Sequence, residues 1–234
     1  MMNWLPENVS TFGGEIDSLF YIIYYITGAV FLLVTVLMIL FLIMYRQRDG
    51  RPAVYSHGNT GMEITWTVIP AVILVILAFM SASTWAKIKR RAPPSDVQVQ
   101  VTAKQFNWEI LYPGPDGKLG TKDDYQTEND MHVPVHKVVH VLLESKDVIH
   151  SLFLPNLRLK QDAVPGRTIV VWFEAAKPGK YEMPCAELCG FGHSGMRGWL
   201  YVDTPEDYEK WEKETWPQAS NVSLLLNPDV KLKN

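Results

Sequence analysis

The residues best suited to metal chemistry lie in one short segment, residues 183–197. Both cysteines of the chain are there, Cys185 and Cys189, and His193 and Met196 follow in the pattern C-x3-C-x3-H-x2-M. A further histidine, His150, lies upstream in an Asp-Val-Ile-His-Ser segment. Thiolate, imidazole and thioether donors together form a set that copper prefers. The segment therefore predicts a copper site.

The residues alone leave other interpretations of these cysteines open. Two cysteines in an outward-facing domain commonly form a disulfide. A structural zinc site uses Cys and His but not Met, and a mononuclear blue-copper site needs one Cys, two His and a weak axial Met. The second thiolate favours two sulfurs bridging two copper ions, with His150 and His193 each terminating one. Met196 and the backbone carbonyl of Glu187 would be weak axial donors.

The composition at first describes an ordinary soluble protein, 47% hydrophobic and 20% charged, with a net charge of −3. Such a balance excludes a disordered chain. Because 22 Lys and Arg face 25 Asp and Glu without a dominant basic stretch, it also argues against a nucleic-acid-binding protein. The average hides an uneven distribution of the apolar residues along the chain.

Two uncharged apolar runs, residues 19–45 and 64–85, are each long enough to cross a bilayer as a helix, which takes about 20 residues. Neither run has a polar stripe, and aromatic residues lie near their ends, as at membrane interfaces. We therefore predict a transmembrane hairpin over residues 19–91, with Pro70 near the start of its second helix. Residues 1–18 contain acids but no Lys or Arg, which argues against a secretory signal and favours an outer location for this segment.

The rest of the chain indicates a β domain. Short stretches rich in β-branched and aromatic residues, 97–101, 106–111, 138–143, 168–173 and 199–202, alternate with Pro-Gly and Asn-Asp turn signals. Strands at this spacing are typical of an all-β sandwich or barrel. We place this domain at residues 92–216. A helix with Thr204 as its N-cap closes it, and residues 217–234 form a tail.

The copper pattern, the Asp-Val-Ile-His-Ser segment and the hairpin together resemble subunit II of haem–copper cytochrome c oxidase, with its binuclear CuA centre. The resemblance implies an α+β membrane protein: an N-terminal two-helix transmembrane hairpin, then an all-β cupredoxin (Greek-key barrel) domain with a C-terminal helix. It implies the subunit where electrons enter a proton-translocating oxidoreductase. Electrons from a cytochrome c would pass through the copper pair to the haem–copper centres of subunit I, where oxygen is reduced to water. Subunits I and III would be partners.

The same resemblance implies roles for residues outside the copper pattern. The Glu187 side chain would bind Mg²⁺ at the boundary with subunit I, and Glu63 would lie at the mouth of a proton-uptake channel. Residues 157–167 resemble the loop that faces subunit I. Phe106 stands where the family commonly has the tryptophan at which electrons enter, and Trp108 matches a second aromatic residue.

The phenylalanine at position 106, in place of the family's tryptophan, suggests a dedicated electron donor, such as a membrane-tethered or complex-bound cytochrome c. The expected location is a bacterial inner membrane with the copper domain on the periplasmic face, the alternative being the mitochondrial inner membrane. Two rival functions differ in their requirements. A quinol-oxidase subunit would lack the copper ligands, and a membrane-anchored copper electron carrier or chaperone would not need a loop that faces subunit I.

Two smaller features have alternative interpretations. The acidic segment 116–124 is a calcium loop, a hairpin turn or a docking loop, and it lacks EF-hand spacing. His132, His136 and His140 share one parity of a predicted strand, and they are either a second metal site or solvated and hydrogen-bonded histidines.

Overall fold

The computed structural model describes residues 4–225 except 51, 53, 54, 56 and 91, and the side chains of residues 90 and 216–225 are not considered. The predicted outer segment (1–18) and the tail (217–234) are therefore covered only in part. The described chain forms two compact units. One lies within Glu15–Arg90, and the other joins the N-terminal residues up to Gly14 with the residues after Arg91.

Two long helices make up the first unit, α1 (Gly13–Met44) and α2 (Thr60–Arg90). Both are long and apolar enough to cross a membrane, and their most apolar stretches are not buried against the rest of the chain. A helix that is apolar all round and exposed suits lipid. The pair agrees with the predicted transmembrane hairpin.

The start of α2 differs from the prediction. Asn59 Oδ1 accepts a hydrogen bond from the Met62 N–H at 3.1 Å, so the helix begins at Thr60, ahead of the uncharged run. Pro70 therefore lies inside the helix, and its predicted position near the helix start is wrong. A proline there removes one backbone donor, which transmembrane helices tolerate better than soluble ones.

The described residues of the second unit contain ten strands. These are β1 (Val97–Lys104), β2 (Asn107–Tyr112), β3 (Tyr125–Glu128), β4 (Asp130–Pro134), β5 (Val138–Ser145), β6 (His150–Leu154), β7 (Leu159–Ala163), β8 (Ile169–Glu174), β9 (Gly179–Pro184) and β10 (Arg197–Asp203). They form a five-stranded sheet in the order β3-β2-β1-β5-β8, a three-stranded sheet in the order β4-β10-β9, and a β6–β7 pair. The pairs β1–β5 and β4–β10 are parallel, and the others are antiparallel.

Alternation along the strands builds the core of this domain. Every second residue of β1, β2 and β5 is buried, for example Val99 and Val101 on β1 and Val139 and Val141 on β5. The period of two places these side chains on one face of the sheet. The predicted all-β domain after a membrane hairpin is confirmed.

A C-terminal helix, α3 (Pro205–Leu225), closes the domain. Thr204 Oγ1 accepts a hydrogen bond from the Asp207 N–H at 3.2 Å, as expected of an N-cap. Trp211 stacks on the His132 ring with centroids 4.7 Å apart, which fastens the helix to β4. The helix continues past residue 217, so the predicted boundary between domain and tail falls inside it.

The N-terminal segment, residues 4–12, packs on the β domain as an extra strap. The Val9 N–H donates to Asn156 O at 2.9 Å, and the Ala176 N–H donates to Val9 O at 2.8 Å. Val9 is only 2% exposed, and Phe12 packs edge-on against Trp172. The chain thus leaves the β domain through α1 and returns to it through α2.

Shortening the buried side chain of the strap should weaken the β domain. We expect Val9→Ala to lower the free energy of unfolding by about 2 kcal/mol, because it removes about two buried carbons from an apolar contact. Val170 on β8 is 57% exposed and supplies a matched control. Val170→Ala should cost less than about 0.5 kcal/mol. Denaturant unfolding of the full chain in detergent, followed by tryptophan fluorescence, measures both, and equal losses would contradict the strap.

Candidate metal centre

Strand pairing brings the predicted ligands together from separate parts of the chain. Cys185 follows β9 directly and Met196 precedes β10, and these strands are antiparallel neighbours with Pro184 opposite Arg197. The Cys185 N–H donates to Met196 O at 3.0 Å, which closes the loop between them. A bridge between Cys185 and Leu152 places β6, which begins at His150, beside this closure.

The two cysteines and two histidines converge inside this loop. Cys185 Sγ and Cys189 Sγ lie 4.0 Å apart. His150 Nδ1 is 3.9 Å from Cys185 Sγ, and His193 Nδ1 is 3.6 Å from Cys189 Sγ. Each sulfur thus has one imidazole nitrogen beside it.

Two weaker donors complete the cluster. Met196 Sδ lies 3.8 Å from Cys189 Sγ, and the Glu187 carbonyl oxygen lies 3.3 Å from Cys185 Sγ. The Glu187 side chain itself is exposed. Its carboxylate is therefore accessible to a ligand outside this chain.

The cysteines are free thiols, so the disulfide interpretation is wrong. A disulfide requires the sulfurs to be about 2.05 Å apart, well below the 4.0 Å observed. Both residues are buried, and burial together with the neighbouring Cys185 sulfur raises the pKa of the Cys189 thiol to about 11. A bound cation reverses that effect by stabilising the thiolate.

Asp147 fixes the ring of the fully buried His150. Its Oδ1 lies 2.8 Å from His150 Nε2, while Oδ2 accepts the Gln105 N–H at 2.7 Å. Partial burial would raise the pKa of Asp147, but the hydrogen bonds from His150, Gln105 and Val148 lower it overall. A carboxylate that accepts from Nε2 leaves Nδ1 free to bind a metal.

The turn between β1 and β2 packs directly on the ligand loop. The Gln105 Nε2 donates to Cys189 O at 2.6 Å. The Phe106 ring lies against the loop backbone, so a Cβ added at Gly192 would be 2.5 Å from it. Phe106 keeps 38% of its surface exposed. The sequence pattern identified Phe106, but nothing in its spacing pointed to the contacts made by Gln105.

Trp108 lies deeper than Phe106. It is fully buried in the core, and its ring packs edge-on against His150 with centroids 6.3 Å apart. Its Nε1 has no acceptor among the residues that the structure describes. Phe106 therefore lies at the surface of the centre, and Trp108 lies beneath it.

The remaining predicted residues lie apart from this cluster. Glu63 is in the first turn of α2. In the acidic segment, Asp116 and Asp124 accept backbone N–H groups of Lys118 and Gly120, as in a turn. His132 pairs with Asp203 at 2.8 Å. Within the described residues, the group of close metal-ligating side chains is His150, Cys185 and Cys189.

The donor set fits copper. Two buried sulfurs, two imidazole nitrogens and a thioether are soft and borderline ligands, and these select copper over hard cations. Zinc would leave Met196 without a role. The thioether is fully enclosed with the two sulfurs, which argues for a copper site.

Known proteins resemble this chain along most of its length. Residues 99–200 match the family profile described as cytochrome c oxidase subunit II, periplasmic domain, and residues 2–83 match its transmembrane domain. The alternative cytochrome c oxidase subunit 2 of Bradyrhizobium diazoefficiens is 31% identical over 95% of this chain and 88% of its own. The cytochrome c oxidase subunit 2 of Thermostichus vulcanus is 32% identical over 90% and 78%. Among solved structures, the periplasmic domain of cytochrome oxidase subunit II of Bradyrhizobium japonicum is similar, with a TM-score of 0.49 and 30% identity over 55% of this chain and 99% of that chain.

The contact between Phe106 and the loop backbone leads to a prediction at Gly192. We expect Gly192→Ala to lower the free energy of unfolding by about 1–3 kcal/mol, because the added methyl group overlaps the body of the Phe106 ring. At Gly195 an added Cβ meets nothing within 4 Å. Gly195→Ala should therefore be neutral, or stabilise by up to about 1 kcal/mol. Denaturant unfolding of the two variants measures this. The same loss of unfolding free energy in both would contradict the packing of the Phe106 ring against Gly192.

Proposed function

The chain belongs to the cytochrome c oxidase subunit II family, and on that premise we propose that it is the subunit through which electrons enter the oxidase. The observation that carries the proposal is the pair of free thiols 4.0 Å apart, each with an imidazole nitrogen beside it. Both thiolates would help to hold two copper ions. His150 and His193 would each bind one of them, with Met196 and the Glu187 carbonyl as weak donors.

A bound copper pair would accept and release one electron at a time. The chain's own residues would keep that site rigid and dry. His150 is fully buried and Met196 nearly so, which excludes water from the sulfurs. Asp147 orients the His150 ring, and the β9–β10 closure holds both ends of the ligand loop. A saturated, closed set of ligands suits electron transfer, because it leaves no position for a substrate.

The proposal assigns two further roles within the oxidase. The exposed Glu187 carboxylate would bind Mg²⁺ together with residues of subunit I, since hard cations prefer oxygen ligands. Glu63, at the start of α2, would lie at the opening of a proton pathway. The haems, oxygen reduction and proton translocation would belong to subunit I. The β domain would face the periplasm of a bacterial inner membrane, and subunit III would be a further partner.

Copper loading tests the central claim. The full chain, purified in detergent and reduced, should bind two copper ions, and its one-electron oxidised form should give a seven-line electron paramagnetic resonance pattern. That pattern follows from one unpaired electron shared by two equivalent copper nuclei. Cys189→Ser should abolish it, because one bridging sulfur is lost. His140→Ala is the matched control, since His140 Nε2 lies against the Pro93 carbonyl at 2.9 Å. One copper with a four-line pattern would refute the binuclear site.

Several apolar side chains are exposed around the ligands. Phe106, Val148, Ile149, Leu188 and Phe191 are all exposed, and each lies in a segment that carries or contacts a ligand. We call this set the apolar platform. Among the charged side chains nearby, Lys146 pairs with Glu109 and Asp147 accepts three hydrogen bonds, while the Glu187 carboxylate is exposed. A donor cytochrome c that docks here would use apolar contact more than charge, as a membrane-tethered or complex-bound donor can.

The docking proposal predicts a weak effect of salt. We expect the oxidation rate of the matching cytochrome c by the intact oxidase to fall by less than about threefold over a tenfold rise in ionic strength, because steering by charge is minor. Phe191→Ser should slow the reaction several-fold without changing the copper spectrum, while Val170→Ser should not. Stopped-flow kinetics give both rates. Fast oxidation of a free, basic cytochrome c with steep salt dependence would contradict a dedicated donor.

A further inference from the structure

Gln105 joins two parts of the centre that the backbone keeps apart. It lies in the turn between β1 and β2, outside the strands and loops that carry the ligands. Its backbone N–H donates to Asp147 Oδ2 at 2.7 Å, and its side-chain Nε2 donates to Cys189 O at 2.6 Å. One residue thus contacts both the His150 side and the Cys189 side of the cluster.

Each of these bonds ends beside a ligand. The other oxygen of Asp147 lies 2.8 Å from His150 Nε2, so the first bond fixes the carboxylate that orients the ring. The second bond fixes the peptide of Cys189, whose sulfur lies 4.0 Å from that of Cys185. A continuous series of hydrogen bonds therefore runs from His150 through Asp147 and Gln105 to Cys189.

The ligand loop lies close to one side of the Gln105 amide. A Cβ added at Gly190 would lie 2.7 Å from Gln105 Nε2, so the loop backbone rests directly on the amide group. Gly190 has φ +136, which favours glycine. A side chain of similar size without a donor would occupy this space but leave the Cys189 carbonyl without the bond.

We propose that Gln105 is a positioning residue for the copper centre, setting the place of Cys189 relative to His150. The inference rests on the proposed function, and Gln105 itself is not a ligand. Residues that hydrogen-bond to ligands commonly change metal affinity by about 10–100-fold when they are replaced. Gln105 differs from most of them because it acts on both sides of the site at once.

The test compares two glutamine variants of the full chain in detergent. Gln105→Leu keeps a similar side-chain volume and removes the donor. Gln98→Leu is the control, because Gln98 lies on β1, the strand that leads into this turn, and its side chain bonds to Ser95. We expect Gln105→Leu to release copper to a chelator about 10-fold faster than the wild type. Its paramagnetic pattern and midpoint potential should also shift, while Gln98→Leu should match the wild type.

A second measurement separates this inference from the proposed function. In the metal-free chain, hydrogen exchange of the loop amides between Cys185 and Met196 should be faster in Gln105→Leu than in the wild type or in Gln98→Leu. If the wild type bound only one copper ion, the proposed function would be refuted. Hydrogen exchange would still test whether Gln105 positions Cys189. Unchanged exchange, copper release and spectrum in Gln105→Leu would overturn the inference.

If Gln105→Leu does not fold, a second variant tests the inference. Gln105→Glu keeps the length of the side chain but presents oxygens to the Cys189 carbonyl, so it should release copper at least as fast as Gln105→Leu. Wild-type behaviour of Gln105→Glu, with its protein folded, would likewise overturn the role of the amide donor.

Discussion

The site depends on one pairing of strands. β9 and β10 run antiparallel, with Pro184 opposite Arg197, and the Cys185 N–H donates to Met196 O at 3.0 Å. The two ends of the ligand loop are therefore fixed by backbone bonds. The conformational entropy of closing the loop is offset by the sheet and does not depend on a metal. The Ala186 N–H also donates to Ser151 O, which ties the same loop to the strand of His150.

The same closure explains why the buried thiols tolerate each other. Two sulfurs 4.0 Å apart in a dry pocket would repel as thiolates, and burial raises the pKa of Cys189 accordingly. Without a cation the neutral thiols pack as small apolar groups beside Met196. With a cation the same atoms become ligands. The pocket can thus be preformed in both states, with little movement of its backbone.

The sequence predicts local patterns well and long-range contacts poorly. Spacing identified Cys185, Cys189, His193 and Met196, and composition with turn signals indicated the strands, because both signals lie within a few residues of the chain. The strap at residues 4–12 and the bond from Gln105 to Cys189 join segments that are distant in the chain, and no periodic signal marks them. The sequence also failed to predict two helix boundaries, the start of α2 at Thr60 and the extension of α3 beyond residue 217. The Asn59 cap sets the first, and α3 continues past the point where the composition changes.

The ligand loop meets two opposite demands. Its inward side must hold Cys189 and Met196 in a dry cluster, while its outward side leaves Phe191 fully exposed. A loose loop would turn such a ring inward to escape water. The backbone on either side of Phe191 is closely packed, because an added Cβ would meet the Gln105 side chain at Gly190 and the Phe106 ring at Gly192. Close contact at two glycines would thus allow one short loop to serve as the proposed metal site inside and the proposed docking surface outside.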